Sequence, residues 1–179
     1  MKPILDATAG NRTIYKHDPP QQTVFMDKEY GLAVPPDVFG IWQDLPFRDD
    51  CFETVIFDPP HYWGNLPPWF DKPGRGKNSD YNKDSKWPNS TPGWYGTFKD
   101  KRDMIVSIMN GQKEFGRVAN RVCLKWSEVK LSLWNILSLF NDWIIVNEWE
   151  YISPFKRGSQ KTYWVTMTIV KQTKRMSEP

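Results

Sequence analysis

Seven short apolar runs punctuate the chain, at 4–7, 23–26, 39–42, 54–57, 121–125, 143–146 and 162–170, and each has the length of a β-strand. Runs such as Thr54-Val55-Ile56-Phe57 and Arg121-Val122-Cys123-Leu124 are apolar at consecutive positions and do not alternate. That pattern predicts strands covered on both faces, as in a parallel sheet with helices on either side. Two helices are predicted. Over 100–119, Met104, Ile105, Ile108, Met109, Phe115 and Val118 recur at helical spacing. Over 128–140, Val129, Leu133, Ile136, Leu137 and Phe140 do the same, with Ser127 as N-cap and Glu128 in the first turn. Only about fifteen residues, among them Pro19 and Pro20, separate the first two runs, so any helix there is cramped. The fold class expected is α/β.

Between 62 and 99 the periodicity disappears. This stretch is rich in Pro, Gly, Asn, Asp and Ser, yet it carries Trp63, Trp69, Trp87, Trp94, Tyr81 and Tyr95. A loop so long inside a compact domain is functional or disordered, and its aromatic content speaks against simple disorder. The polar end, 171–179, is expected to fray. A length of 179 residues suits one domain, 1–179, with 62–99 as an insertion loop. No repeat at a period of 20 to 50 residues argues for a solenoid.

Composition adds a little. Ten Trp and fifteen Pro are many for this length and imply aromatic surface in use, while a net charge of +3 permits a phosphate-bearing partner without requiring one. Cys51 and Cys123 lie far apart in no metal-like spacing and read as buried free thiols; no metal site is expected. There is no run of roughly 20 apolar residues and no secretory leader, so the expectation is a cytoplasmic protein with no membrane partner.

Three elements carry candidate chemistry. Leu5-Asp6-Ala7-Thr8-Ala9-Gly10-Asn11-Arg12-Thr13 is a strand entering a turn of small residues, where backbone can approach a ligand at the carboxyl end of a parallel strand; alone it could be only a tight connection. Asp27 and Asp44 end the second and third runs. An acid at the first place can accept both hydroxyl hydrogens of a ribose, and one at the second can accept from an adenine amine, although Asp at a strand end also serves as turn former or cap. The third element, Val55-Ile56-Phe57-Asp58-Pro59-Pro60-His61-Tyr62, is the most specific. Both prolines lack an amide hydrogen, and the rigid turn leaves carbonyls free to face a ligand. Asp58 and the Pro59 carbonyl can accept the two hydrogens of an exocyclic amine, drawing its lone pair out of conjugation. His61 or Tyr62 can stack on the base. Lys125, in an apolar run, should emerge at the carboxyl edge of the sheet near Asp58.

In order and spacing, ILDATAGNRT, VFMDKE, QDLPF and VIFDPPHY, with the later LKWSE and TYWVTM, resemble the class I S-adenosylmethionine-dependent methyltransferases. The resemblance is to the amino-methyltransferases with a (D/N/S)PP(Y/F/W) motif, including short methylases of prokaryotic and phage genomes. It implies a Rossmann-like, mostly parallel seven-stranded sheet with helices on both faces and an antiparallel last strand. It further implies S-adenosylmethionine held by Asp6, Ala7, Thr8, Ala9, Gly10, Asp27, Lys28, Asp44, Leu45 and Asp58, and released as S-adenosylhomocysteine. The reaction implied is methylation of adenine N6, with cytosine N4 second, in DNA before RNA. Asp58, Pro59, Pro60, His61 and Tyr62 are the expected reaction centre, and Trp63, Trp69, Trp94 and Lys125 the expected contacts to the nucleic acid.

Two positions depart from the pattern. Arg12 stands where a second glycine is usual, and would meet the methionine carboxylate or a phosphate. His61 stands where an aromatic ring such as Tyr is usual, and could stack or accept a proton after transfer. The alternatives are a protein or small-molecule amine as acceptor, a ribose 2'-hydroxyl served by Asp58, Lys125 and Glu148 or Glu150, and a noncatalytic cofactor- or nucleic-acid-binding subunit. A homodimer or a separate specificity partner is left open.

Overall fold

The computed structural model describes residues 2–15, 17–64, 97–151 and 161–170. Seven strands form one sheet: β1 (Ile4–Asp6), β2 (Thr23–Asp27), β3 (Val38–Phe39), β4 (Thr54–Phe57), β5 (Arg121–Ser127), β6 (Trp143–Tyr151) and β7 (Thr162–Ile169). Their spatial order is β3-β2-β1-β4-β5-β7-β6. β1, β2, β3, β4 and β5 pair in parallel, while β7 is antiparallel to both β5 and β6. The protein is therefore α/β with a mixed, mostly parallel sheet.

α1 (Lys101–Val118) fills the crossover between β4 and β5. Asp100 caps it by accepting from the Asp103 amide at 2.8 Å, and the Asp103 carboxylate accepts in return from the Lys99 amide at 2.9 Å. Met104, Ile108, Phe115 and Val118 are buried. Phe115 meets Phe57 edge-on at 4.7 Å, which seats the helix on the face formed by Leu5, Val55, Phe57, Val122 and Leu124.

The second predicted helix is much shorter than 128–140: α2 spans Leu133–Leu137, with Ser132 and not Ser127 as its N-cap. The β ladder explains the difference. Ser127 is still in β5, the Glu128 amide donates to the Lys161 carbonyl at 2.9 Å, and the Glu128 carboxylate accepts from the Leu133 amide at 2.7 Å. Leu133, Ile136 and Leu137 join the same core as α1, and Trp126 Nε1 donates to the Leu131 carbonyl.

Helices on both faces were expected; among the described residues both lie on one. Burial along β5 alternates, with Val122, Leu124 and Trp126 buried and Cys123, Lys125 and Ser127 half-buried. On the second face the segment after β1 shields β1 and β2, with Tyr15 packed edge-on against Phe25, but no described helix covers β5, β7 and β6. The crossover from β1 to β2 consists of turns, too short for a covering helix. Strand β3 also differs from its prediction at 39–42, because the chain leaves the ladder at Gly40 and closes a small turn in which the Asp44 amide donates to the Ile41 carbonyl.

Most of the 62–99 stretch, including Trp69, Trp87, Trp94, Tyr81 and Tyr95, lies outside the described residues, as does 171–179. Its two ends are joined by a bridge between Trp63 and Phe98. Cys51 and Cys123 are free and half-buried. No helix among the described residues is long and apolar enough to cross a membrane.

Candidate active site

Strand order reverses beside β1, which has β2 on one side and β4 on the other. In open α/β sheets the crevice above such a point, at the carboxyl ends of the strands, is where ligands bind. A cavity of about 260 Å³ lies there. Its wall includes the turn after β1, the end of β2, the residues after β3, Asp58 and Pro60 after β4, and the first turns of α1.

The turn after β1 is built for close approach. Gly10 has φ 48°, and the Ala9 amide donates to the Met26 carbonyl at 3.0 Å. Asp27, at the end of β2, accepts from the Gly10 amide at 2.8 Å through one oxygen and from the Glu29 amide at 3.0 Å through the other. A carboxylate offers about four lone-pair sites, so Asp27 retains capacity for hydroxyl donors. Buried Asn11 braces the opposite side by accepting from the Ala33 and Val34 amides. Ala7, Thr8, Ala9, Gly10, Asp27 and Lys28 all line the cavity.

Asp6 does not. It is buried beneath the turn, where Oδ1 accepts from the Thr8 amide at 3.2 Å and Oδ2 from the Tyr15 hydroxyl at 2.8 Å. Burial outweighs these bonds and pushes its carboxyl from 3.8 up to about 7. Its contribution is to the shape of the turn. Arg12 also points elsewhere: its guanidinium lies 3.7 Å above the Phe25 ring and donates to the Pro35 carbonyl at 3.2 Å. Arg12 holds φ 59°, and that backbone turn directs its side chain onto the sheet. Asp44 is exposed outside the cavity, because the tight turn after Gly40 presents Ile41, Trp42 and Gln43 instead. Leu45 is buried, and its amide is tied to Glu114 at 2.9 Å.

At the other end, the Asp58 amide donates to Thr8 Oγ1 at 2.8 Å, tying β4's exit to β1's. Lys125 Nζ stands 2.6 Å from Asp58 Oδ2, and His61 Nε2 stands 3.4 Å from Oδ1. Burial alone would push the Asp58 carboxyl up, but the His61 hydrogen bond and the Lys125 charge outweigh it and hold the group below the usual carboxylate range. Asp58 is therefore an ionised, acceptor-only group at neutral pH.

His61 and Tyr62 do not line the cavity. His61 is buried and meets Trp126 edge-on at 4.7 Å, and the Tyr62 carbonyl accepts from the Phe98 amide. Pro59 is buried, while Pro60 faces the cavity. Trp63 is half-buried, with Lys130 Nζ 5.7 Å over its ring. The set suited to a ribose hydroxyl is not assembled. In register, Lys125 aligns with Trp164 and Trp149, whereas Glu148 and Glu150 align with Leu124 and Trp126 and so face the other side of the sheet. Glu150 is instead 3.5 Å from Lys161.

Trp42, Gln43, Phe98, Asp103 and Ser107 line the cavity and were not singled out from sequence. Only Asp103 carried a signal, as the third residue after a capping Asp100. No family model matches this chain, and no curated protein matches it.

Proposed function

We propose that the protein is an S-adenosylmethionine-dependent methyltransferase of Rossmann-like fold that methylates an exocyclic amine of a nucleic-acid base, adenine N6 before cytosine N4, DNA before RNA. The observation that carries this reading is the cavity at the strand-order reversal, with Asp27 at one end and an ionised Asp58 followed by two prolines at the other. Its volume of about 260 Å³ lies just under the range of roughly 300–1,000 Å³ usual for small-molecule sites. The donor set fits the group. Backbone at Thr8 to Gly10 admits close approach, Asp27 has acceptor sites left for ribose hydroxyls, and Trp42 and Ile41 offer apolar surface for a purine.

Bound there, S-adenosylmethionine supplies a methyl already activated by its sulfonium. The chain's own task is geometry. Asp58 accepts an amine hydrogen, which turns the nitrogen lone pair toward the methyl, while Pro59, buried and off the cavity wall, shapes the turn. The proton that the amine gives up on methylation would pass to the Asp58 carboxylate that already accepts it, and S-adenosylhomocysteine would be the co-product released. Holding reactants in line while water is kept out contributes several kcal/mol. Lys125 and His61 keep Asp58 ionised and fixed. Neither His61 nor Tyr62 lines the cavity, so neither ring is the one that stacks on a base held there.

Titration calorimetry with S-adenosylmethionine, followed by transfer of a radiolabelled methyl to DNA, RNA and protein pools and digestion to nucleosides, tests the proposal. The expected product is N6-methyladenine. Absence of cofactor binding would refute it, and label in protein alone would move the acceptor.

A further inference from the structure

One row of side chains on α1 meets the cavity. Asp103, Ser107 and Gly111 follow one another at successive turns, and residues four apart on a helix share a face. Gly111 leaves the space that the Trp42 indole fills, since a Cβ there would stand 2.6 Å from the ring. Ser107 and Asp103, the next two members toward the start of the helix, line the cavity together with Trp42, Phe98 and Ile41. Trp42 meets Phe98 edge-on at 6.2 Å, so apolar ring surface and two polar side chains belong to one wall. Asp103 is exposed and Ser107 half-buried. Oδ2 of Asp103 accepts from the Lys99 amide at 2.9 Å, and because a carboxylate has about four lone-pair sites, capacity remains at Oδ1. Asp44, the acid that the sequence offered for an adenine amine, is exposed outside the cavity.

We infer that Asp103 takes that part: it accepts from the exocyclic amine of a 6-aminopurine lying against Trp42, while the Ser107 hydroxyl donates to the ring nitrogen beside the amine. The chemistry of the wall selects the ring. Ser107 and Gln43, which also lines the cavity, can each act as donor or as acceptor, and so adapt to an amine or to a carbonyl edge. A carboxylate only accepts. A 6-oxopurine would turn a carbonyl oxygen toward a group with no hydrogen to give, and an unmatched polar contact of that kind costs binding. Asp27, with acceptor sites left for ribose hydroxyls, lines the same cavity, so the sugar and the ring of one nucleoside are met by different elements. That the purine belongs to the cofactor rests on the methyl-transfer reading; that Asp103 meets it does not.

Calorimetry on the full chain compares S-adenosylhomocysteine with its 6-oxo analogue S-inosylhomocysteine, and adenosine with inosine, for wild type, Asp103→Asn and Ser107→Ala. Wild type should prefer the amino member of each pair by about tenfold. Asp103→Asn keeps an oxygen for the Lys99 amide, and with it the start of the helix, but gains an amide that can donate to a carbonyl, so its preference should vanish or reverse. Ser107→Ala should weaken both members of a pair equally, by about threefold, because the hydroxyl serves either edge. The ratio within one protein cancels any loss common to both ligands, so a merely structural role of Asp103 would leave that ratio at its wild-type value. A wild-type preference retained in Asp103→Asn would overturn the assignment and leave methyl transfer standing. Adenosine preferred over inosine through Asp103, in a protein that binds neither S-adenosylmethionine nor S-adenosylhomocysteine, would keep the assignment and refute methyl transfer. Binding of none of these ligands would overturn both.

Discussion

The ammonium of Lys125 stands 2.6 Å from Oδ2 of Asp58, and the pair is mostly buried, with side chains 18% and 5% exposed. Lys125→Met therefore takes the ammonium away from a buried carboxylate. Breaking such a pair from one side costs about 3–5 kcal/mol. Asp58 sits below its ordinary value, so its contribution to stability is present above pH 3.8 and is lost as the pH falls through the folded value. In Lys125→Met the carboxyl should titrate higher, and the acid limb of the pH–rate profile for methyl transfer should move to higher pH. An unmoved acid limb would show that Lys125 does not set the ionisation of Asp58.

Asp6 acts in the opposite sense. Its carboxyl is raised from 3.8 to about 7, so the folded state prefers it neutral. The stability it allows is complete below pH 3.8 and is lost as the pH rises to about 7, a loss of at most about 4 kcal/mol. In Asp6→Asn the amide can accept from Thr8 and donate to Tyr15, whose hydroxyl reverses. Urea unfolding at several pH values should show a decline for wild type between pH 4 and 7, and a shallower one for Asp6→Asn. Parallel curves would contradict the raised ionisation.

What was legible in the sequence, and what was not, follows the range of the interactions concerned. β1, β2, β4 and β5 were readable because each is a local run of apolar residues, and Asp27 and Asp58, which line the cavity, stood out in the sequence because each directly follows or ends such a run. Glu128 illustrates the opposite case. Its carboxylate could have joined a first helical turn, but the Lys161 carbonyl, 33 positions away, holds its amide in the ladder and delays α2. Cys123 sits in an apolar run and suggested cover on both faces, yet its side of β5 is half-exposed because the early crossovers contain no helix. Trp42 and Ser107 reach the cavity only through tertiary packing, which leaves no local pattern.

Arg12 holds a left-handed backbone at φ 59° where glycine would be unstrained. Its guanidinium on Phe25 and its bond to Pro35 offset that strain. Arg12→Ala loses the contacts and keeps the strain, whereas Arg12→Gly loses both. The glycine variant should therefore be the more stable of the two by about 1 kcal/mol in urea unfolding. Because the side chain lies off the cavity, neither should change cofactor affinity by more than about twofold, within 0.5 kcal/mol. A tenfold loss in both would return Arg12 to the ligand.

Gly111 couples the helix to the cavity. A Cβ there would stand 2.6 Å from Cε3 and 2.9 Å from Cζ3 of Trp42, which lines the cavity and packs against Phe57 at 4.9 Å. Gly111→Ala gains about 1 kcal/mol of helix propensity. It must also move a fixed, buried indole, and overpacking of this kind costs about 1–3 kcal/mol. Gly111→Ala should be no more stable than wild type despite the better helix former, and should bind S-adenosylmethionine more weakly, because the displaced ring enters the cavity. Trp42→Phe in the same chain removes the clashing atoms and should recover the propensity gain. Calorimetry and thermal unfolding of the three proteins read both effects. If Gly111→Ala alone were the more stable and bound cofactor as wild type, Trp42 would not be held against the helix as the geometry requires.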